Sequence, residues 1–190
     1  MSPAHSLSEL LRRLQRGEPV LFPTDTVPAL AIRPFAAQRI WTLKQRPAHK
    51  PLILMGANFA QLRQALGVTW PLAWQQQAEE VWPGPVTLVL PLSGPLQQAL
   101  NPGGDNLGLR VPACPMAQEL LHHCGPLATT SINRSGQPAA LCALEASQSF
   151  PDLAMLGPLP WPAGSGTPSE VRAWTAEGWQ VLRAPQPRAL

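Results

Sequence analysis

Strand-like apolar runs alternate with helix-like apolar stripes along this chain, and that alternation leaves few folds open. Ser6 and Glu9 have capping-box spacing, and Leu7, Leu10, Leu11 and Leu14 follow at i, i+3, i+4 and i+7. Gly17 can end that helix, and Pro19 opens the strand "VLF". "AAQRIWTLKQR" reads as a second helix closed by Pro47, and "PLILM" as a short buried strand. Asn58 and Gln61 resemble another capping box, opening a helix through Leu66. A helix near Trp74–Val81 is followed by "WPGP" and the strand "VTLVLPL". "LGLRVP" alternates like an edge or half-buried strand, "MAQELLHHC" is helical, "LATTS" is a strand and "INRSGQPAA" a loop. After Ser149 the chain turns Pro- and Gly-rich, so weak order is expected until a last strand, "WQVLR". Residues 151–168 read as a surface loop or a mobile flap. The alternation places the chain in the α/β class, with a largely central sheet.

With 190 residues there is enough chain for one good core, and a single domain over 1–190 is expected, its core about 6–184. The 24 prolines are spread throughout, which argues for rigid turns and against low complexity. A net charge of +3 is too weak to indicate nucleic-acid binding, although basic residues cluster from Lys44 to Lys50. Three cysteines, Cys114, Cys124 and Cys142, form no CxxC pair, which points to free thiols in a reducing compartment. No signal-peptide apolar region and no run near 18 apolar residues is present, so a soluble cytoplasmic protein without a membrane partner is expected.

Four stretches carry possible chemistry. In "LKQRPAHKPL", Lys44, Arg46 and Lys50 suit an anion with several charged oxygens, such as a triphosphate. The same cations also oppose a helix dipole, or simply sit in solvent. In "ATTSINRSGQPA", Thr129, Thr130, Ser131, Asn133 and Ser135 follow a strand, where hydroxyls and free N–H groups hold phosphate or carboxylate, or form a plain turn at Gly136. "PTDT" repeats that design, so two polar strand ends would face one cleft. Its Asp25 is a base, a Mg²⁺ ligand or an Asx-turn residue. Arg110 points away from Leu107, Leu109 and Val111, toward either solvent or a cleft. His122, His123 and Cys124 read as a helix end; metal-ligand spacing, GxSxG, Walker and GxGxxG motifs are missing.

Taken in chain order, "PTDTV", "LKQRPAHKPLIL", "WPGPVTLVLP", "LGLRVP", "TTSINRSGQPA", "TPSEV" and "VLR" resemble the signatures of the YrdC/TsaC family, the threonylcarbamoyl-AMP synthases. The resemblance spans roughly residues 6–184. It implies a twisted open sheet flanked by helices with a basic concave cleft, in the short, single-domain form. It implies a nucleotidyltransferase that joins L-threonine, bicarbonate and ATP, the ATP with Mg²⁺, into threonylcarbamoyl-AMP and pyrophosphate, with no tightly bound cofactor. The product serves tRNA modification, so tRNA and other modification proteins are implied partners. Such a transfer needs positioning and charge neutralisation more than a covalent nucleophile.

By the same resemblance Lys44 and Arg46 are catalytic, and with Lys50, Ser131, Asn133 and Arg183 they hold the nucleotide. Thr24, Arg110, Ser131 and Ser169 hold threonine, with Arg110 on its carboxylate. The chain departs from the family pattern at Pro28 and Ala29, where Tyr-Gly is usual, and at Met55, where histidine is common. Ile132 and Ala184 are further departures. The changes at Pro28 and Met55 keep open a same-fold paralogue acting on another small acid. A basic cleft keeps open an RNA-binding module, although base-stacking aromatics are not evident there.

Overall fold

Leu10 and Leu14, the inner members of the first apolar stripe, are fully buried, and Ser6 caps their helix by accepting the Glu9 N–H at 3.3 Å. The computed structural model describes residues 4–47 and 49–184. In chain order the first elements are β1 (Ala4–His5), α1 (Leu7–Gln15), β2 (Val20–Phe22), β3 (Ala29–Ile32), α2 (Gln38–Lys44), β4 (Ile53–Met55), α3 (Phe59–Leu66) and α4 (Leu72–Val81). They continue with β5 (Val86–Leu90), α5 (Pro95–Leu100), β6 (Leu107–Arg110), α6 (Pro115–Cys124), β7 (Leu127–Ser131), α7 (Ala143–Ser149), β8 (Ala154–Leu156), β9 (Glu170–Thr175) and β10 (Gly178–Arg183). All ten strands join one mixed sheet in the order β1-β8-β2-β3-β7-β4-β6-β5-β9-β10.

Side chains alternate across a strand, so each strand feeds both faces. On one face Leu21, Leu30, Leu54, Leu88 and Leu109 pack with buried residues of α2, α3, α4, α5 and α7. On the other, Val20, Phe22, Ala31 and Leu127 pack under α1 and α6. Burying one such leucine stabilises the fold by about 1.5–3 kcal/mol. The α1/α6 layer covers the β8-β2-β3-β7 part of its face, and the same face continues across β4, β6, β5 and β9.

Two sequence expectations are corrected here. "LGLR" is no edge: β6 lies between β4 and β5, with all four residues buried. Residues 151–168 are the expected surface loop in large part, but not throughout. Ala154–Leu156 form β8, buried and hydrogen-bonded between β1 and β2, and Trp161 is buried with its indole N–H on the Leu156 carbonyl at 2.6 Å. Further on, Ser165 and Gly166 donate N–H groups to the Asp25 and Thr26 carbonyls at 2.9 and 3.0 Å. Gly164 makes this approach possible, because a Cβ there would lie 2.3 Å from the Thr26 carbonyl oxygen. Elements β1, β3, α5, α7 and β9 had no clear signal, being short or set among prolines.

Candidate functional site

The uncovered part of the sheet face is the floor of a cavity of about 480 Å³. Register builds that floor. Thr129 pairs Ile53, Ile53 pairs Gly108, and Gly108 pairs Val89, so these four share one face. Met55 pairs Arg110 one step along, and Thr87 pairs Val171. All eight line the cavity. Gly108 keeps its centre open: a Cβ there would lie 2.8 Å from Ile53 Cγ2 and 3.4 Å from Thr87 Cγ2. The cavity therefore lies over the sheet face, with the polar ends of β2 and β7 at its rim. A second hollow, of about 590 Å³ between Phe35 and Leu96, is largely apolar and shares no residue with the first.

Three guanidinium groups converge on the cavity, and no Asp or Glu lines it among the described residues. Arg110 is buried and donates to Asp25 Oδ1 at 2.8 Å, Thr26 Oγ1 at 2.8 Å and the Gly84 carbonyl at 3.2 Å. It faces the cleft, which decides the alternative left open by the sequence. Arg46 donates to the Lys50 and Pro51 carbonyls at 3.1 and 2.9 Å. Arg183 donates to the Ser169 carbonyl at 3.0 Å. Burial pushes all three pKa values below the usual arginine range, and at Arg110 the Asp25 carboxylate opposes that shift. Arginine keeps its charge nonetheless, so the cavity presents desolvated cations to an anion.

Arg183 owes its direction to an irregularity. Val181 pairs Arg172, but Arg183, two residues on, pairs Val171, so Leu182 is an extra residue in β10. Without that bulge Leu182 would oppose Val171 and Arg183 would point to the other face.

Lys44 stands behind the cavity wall. Its ammonium is fully buried and donates to the Ser131 carbonyl and to Asn133 Oδ1, the latter at 2.9 Å. Burial first, and the Arg46 charge second, push its pKa down to about 7. Gln45 follows in the left-handed region at φ 51°, which ends α2 and sends Lys44 and Arg46 in different directions. Ser131 also donates to Asn133 Oδ1 at 2.7 Å, and the Ser135 N–H bonds the Lys44 carbonyl at 3.1 Å. The end of α2 and the loop after β7 are thus one unit. Lys50 is exposed, and it, Lys44 and Asn133 lie off the cavity lining, whereas Arg46, Ser131 and Arg183 lie on it.

Thr24, Arg110, Ser131 and Ser169 all line the cavity. Most of their hydroxyls are already engaged. Thr24 donates to the Val27 carbonyl at 2.8 Å and accepts the Thr26 N–H at 3.1 Å, and Ser169 bonds Thr87 at 2.9 Å. The turn at "PTDT" is therefore made by the Thr24 hydroxyl. Asp25 is neither a free base nor an Asx-turn residue; it is the ion-pair partner of Arg110 and accepts the Ala113 N–H at 3.1 Å. Thr26, Thr129 and Thr130, from the two polar strand ends expected to face one cleft, also reach the cavity, and so do Thr87, Asn106 and Gly108, which the sequence did not single out. Thr129 Oγ1 is buried with no partner among the described residues. A lone glycine inside an apolar strand was the available signal for Gly108; Asn106 and Thr87 carried none.

Pro28, Ala29 and Met55 all line the same cavity. None of the seven tryptophans does; Trp41, Trp70, Trp74, Trp82 and Trp161 are buried in the core, and Trp174 and Trp179 pack against it. Burial pushes the Cys124 thiol up to about 12 and raises that of Cys114, so both are inert core groups. Among the described residues no helix is long and apolar enough to cross a membrane.

Comparison with known proteins places this geometry. The Sua5/YciO/YrdC family model, described as telomere recombination, matches residues 12–184. The threonylcarbamoyl-AMP synthase of Vibrio campbellii is 31% identical over 185 residues, covering 94% of this chain and 98% of that protein. P. abyssi Sua5 complexed with L-threonine is 30% identical, with a TM-score of 0.85 over 94% of this chain, which spans 54% of that longer one. E. coli YciO, 20% identical, shares the fold with a TM-score of 0.80 over 98% of this chain and 97% of its own. The mixed α/β sheet flanked by helices is shared with these structures, and this chain belongs to the Sua5/YciO/YrdC family.

Proposed function

We propose that the chain is a nucleotidyltransferase that joins L-threonine, bicarbonate and ATP into threonylcarbamoyl-AMP, releasing pyrophosphate, for tRNA modification. The observation that carries this reading is the convergence of Arg46, Arg110 and Arg183 on one acid-free cavity, in a family whose curated relatives bear that activity's name. The span of about 6–184 works as one domain. Arg46 and Arg183 face the nucleotide phosphates from opposite rims, with Lys50 at the entrance. Lys44 and Asn133 hold Ser131 in place between the two ligands. Arg110 takes the threonine carboxylate, with Thr24 and Ser169 on the same wall.

The threonine amine and bicarbonate give a carbamate, and its oxygen attacks the α-phosphorus with pyrophosphate leaving. The arginines offset charge on the phosphates, and the enclosed floor fixes the two reactants against each other. Among the described residues the lining offers no carboxylate, so Mg²⁺ would travel with the phosphates and water of ATP.

The test is incubation with ATP, Mg²⁺, bicarbonate and labelled threonine. Threonine-dependent pyrophosphate release is expected. Release that ignores threonine and follows another small acid supports a second reading, a same-fold enzyme with an altered pocket. The placement of Pro28, Ala29 and Met55 on the cavity wall is what favours keeping it. Salt-sensitive RNA binding without ATP turnover would refute both.

A further inference from the structure

Asp25 carries the most buried ion pair among the described residues, at 2.8 Å to Arg110 with side-chain exposures of 17% and 5%. It does not line the cavity, although Thr24 and Thr26 on either side do. Its effect on a ligand must therefore pass through another residue, and its contacts say which one.

A guanidinium has five N–H groups. At Arg110 each of the three nitrogens makes one bond: Nε to the Gly84 carbonyl, Nη1 to Thr26 Oγ1 and Nη2 to Asp25 Oδ1. Three bonds from three nitrogens fix both the position and the plane of the group. One N–H on each Nη remains unspent, a pair that suits the two oxygens of a carboxylate. Asp25 Oδ1 is itself fixed, because the Ala113 N–H also donates to it at 3.1 Å. Asp25 Oδ2 is buried and unpartnered among the described residues, so Oδ1 does all of the holding.

We propose that Asp25 is a positioning residue: it holds the Arg110 guanidinium so that its unspent N–H groups meet the carboxylate of the amino-acid substrate. This rests on the threonine reading of the cavity. The ion pair also balances the buried Arg110 charge, and the clamp that orients the fork is made of the protein's own groups.

The experiment compares L-threonine with L-threoninamide, in which a neutral amide replaces the carboxylate, by calorimetric titration of each variant, with ATP titrated separately. Wild type should prefer threonine, and Asp25→Ala should lower that preference by roughly 30-fold or more. ATP affinity should stay within about threefold. Asp25→Asn should restore most of the preference, because an amide oxygen at Oδ1 keeps both bonds and its nitrogen replaces an oxygen that has no partner. If Asp25→Ala does not fold, Thr26→Val, which removes the hydroxyl arm of the same clamp, must show the same selective loss. A variant that melts earlier yet keeps the wild-type preference overturns the positioning role alone. Asparagine behaving no better than alanine also overturns it. Wild type that binds neither compound overturns the threonine reading, and this proposal falls with it.

Discussion

Lys44→Met should make the protein more stable at neutral pH and inactive. The Lys44 ammonium has zero exposure, and its partners are a carbonyl and an amide oxygen. Its pKa falls from 10.5 to about 7, chiefly through burial and next through the Arg46 charge. The unfolded chain therefore holds a proton between about pH 7 and 10.5 that the folded chain has released. Stability must then rise with pH across that window, by about 1.4 kcal/mol per pH unit. The whole penalty, present below about pH 7, amounts to about 5 kcal/mol. Methionine fills a similar volume without the charge, but it leaves the Ser131 carbonyl without its ammonium donor, which costs about 1–3 kcal/mol. The net gain at pH 7.5 is about 1–3 kcal/mol. Urea denaturation at four values from pH 7 to 8.5 measures it, and the gap between the two proteins should narrow as pH rises. Groups common to both proteins cancel in that difference. A variant less stable at pH 7 with an unchanged gap at pH 8.5 refutes the reasoning. A stabilised variant that turns over normally refutes the link from Lys44 to Ser131 and the reaction.

Arg46→Ala should leave the melting temperature nearly unchanged and lower kcat/KM for ATP by roughly 30-fold or more; normal turnover in the pyrophosphate assay removes Arg46 from the nucleotide site. Gly108→Val puts a branched side chain where even one Cβ lies 2.8 Å from Ile53, so stability should drop by about 1–3 kcal/mol while a folded fraction loses ligand binding by calorimetry. Gly164→Ala forces a Cβ against the Thr26 and Thr24 carbonyls, 2.3 and 2.7 Å away. The segment should lift, and the Ser165 and Gly166 amides should exchange faster with solvent deuterium than in wild type.

Local signals in the sequence held where local physics decides the outcome. Ser6 and Asn58 cap α1 and α3 by accepting the Glu9 and Gln61 N–H groups, although the return half of neither box forms: Glu9 pairs with Arg12 and Arg13, and Gln61 Oε1 accepts the Ala57 N–H. The alternation around Arg110 set its face relative to Leu107 and Leu109, since period two is a property of one strand. What the alternation could not show was that β6 is central, because one of its two neighbours, β4, pairs from 55 positions away, Ile53 against Gly108. The segment after Ser149 misled for the same reason. Ala154–Leu156 is three residues among prolines and glycines, and it is a strand only because β1 and β2 flank it. At the site, residue types were legible and their engagement was not. Thr24 reads as a free hydroxyl until the Val27 carbonyl is placed beside it, and Asp25 reads as a base until Arg110 arrives from 85 positions away.

The three arginines of the cavity are oriented by the fold itself. Each is bonded to the protein's own carbonyl oxygens, from Gly84, Lys50 and Pro51, and Ser169, so none depends on an incoming anion for its orientation. Only Arg110 has a carboxylate, and that carboxylate stands outside the cavity. Charge compensation inside the cavity is therefore left to the ligand, while orientation is left to the fold. On the proposed function, that division suits phosphoryl chemistry without a covalent nucleophile, since the rate of such a transfer comes from donors already in place when charge develops. It also accounts for the bulge at Leu182. A regular β10 would give the cavity Leu182 alone, whereas the extra residue lets Arg183 pair with Val171 and share its face. The broken register of β10 is what brings the third guanidinium into the cavity.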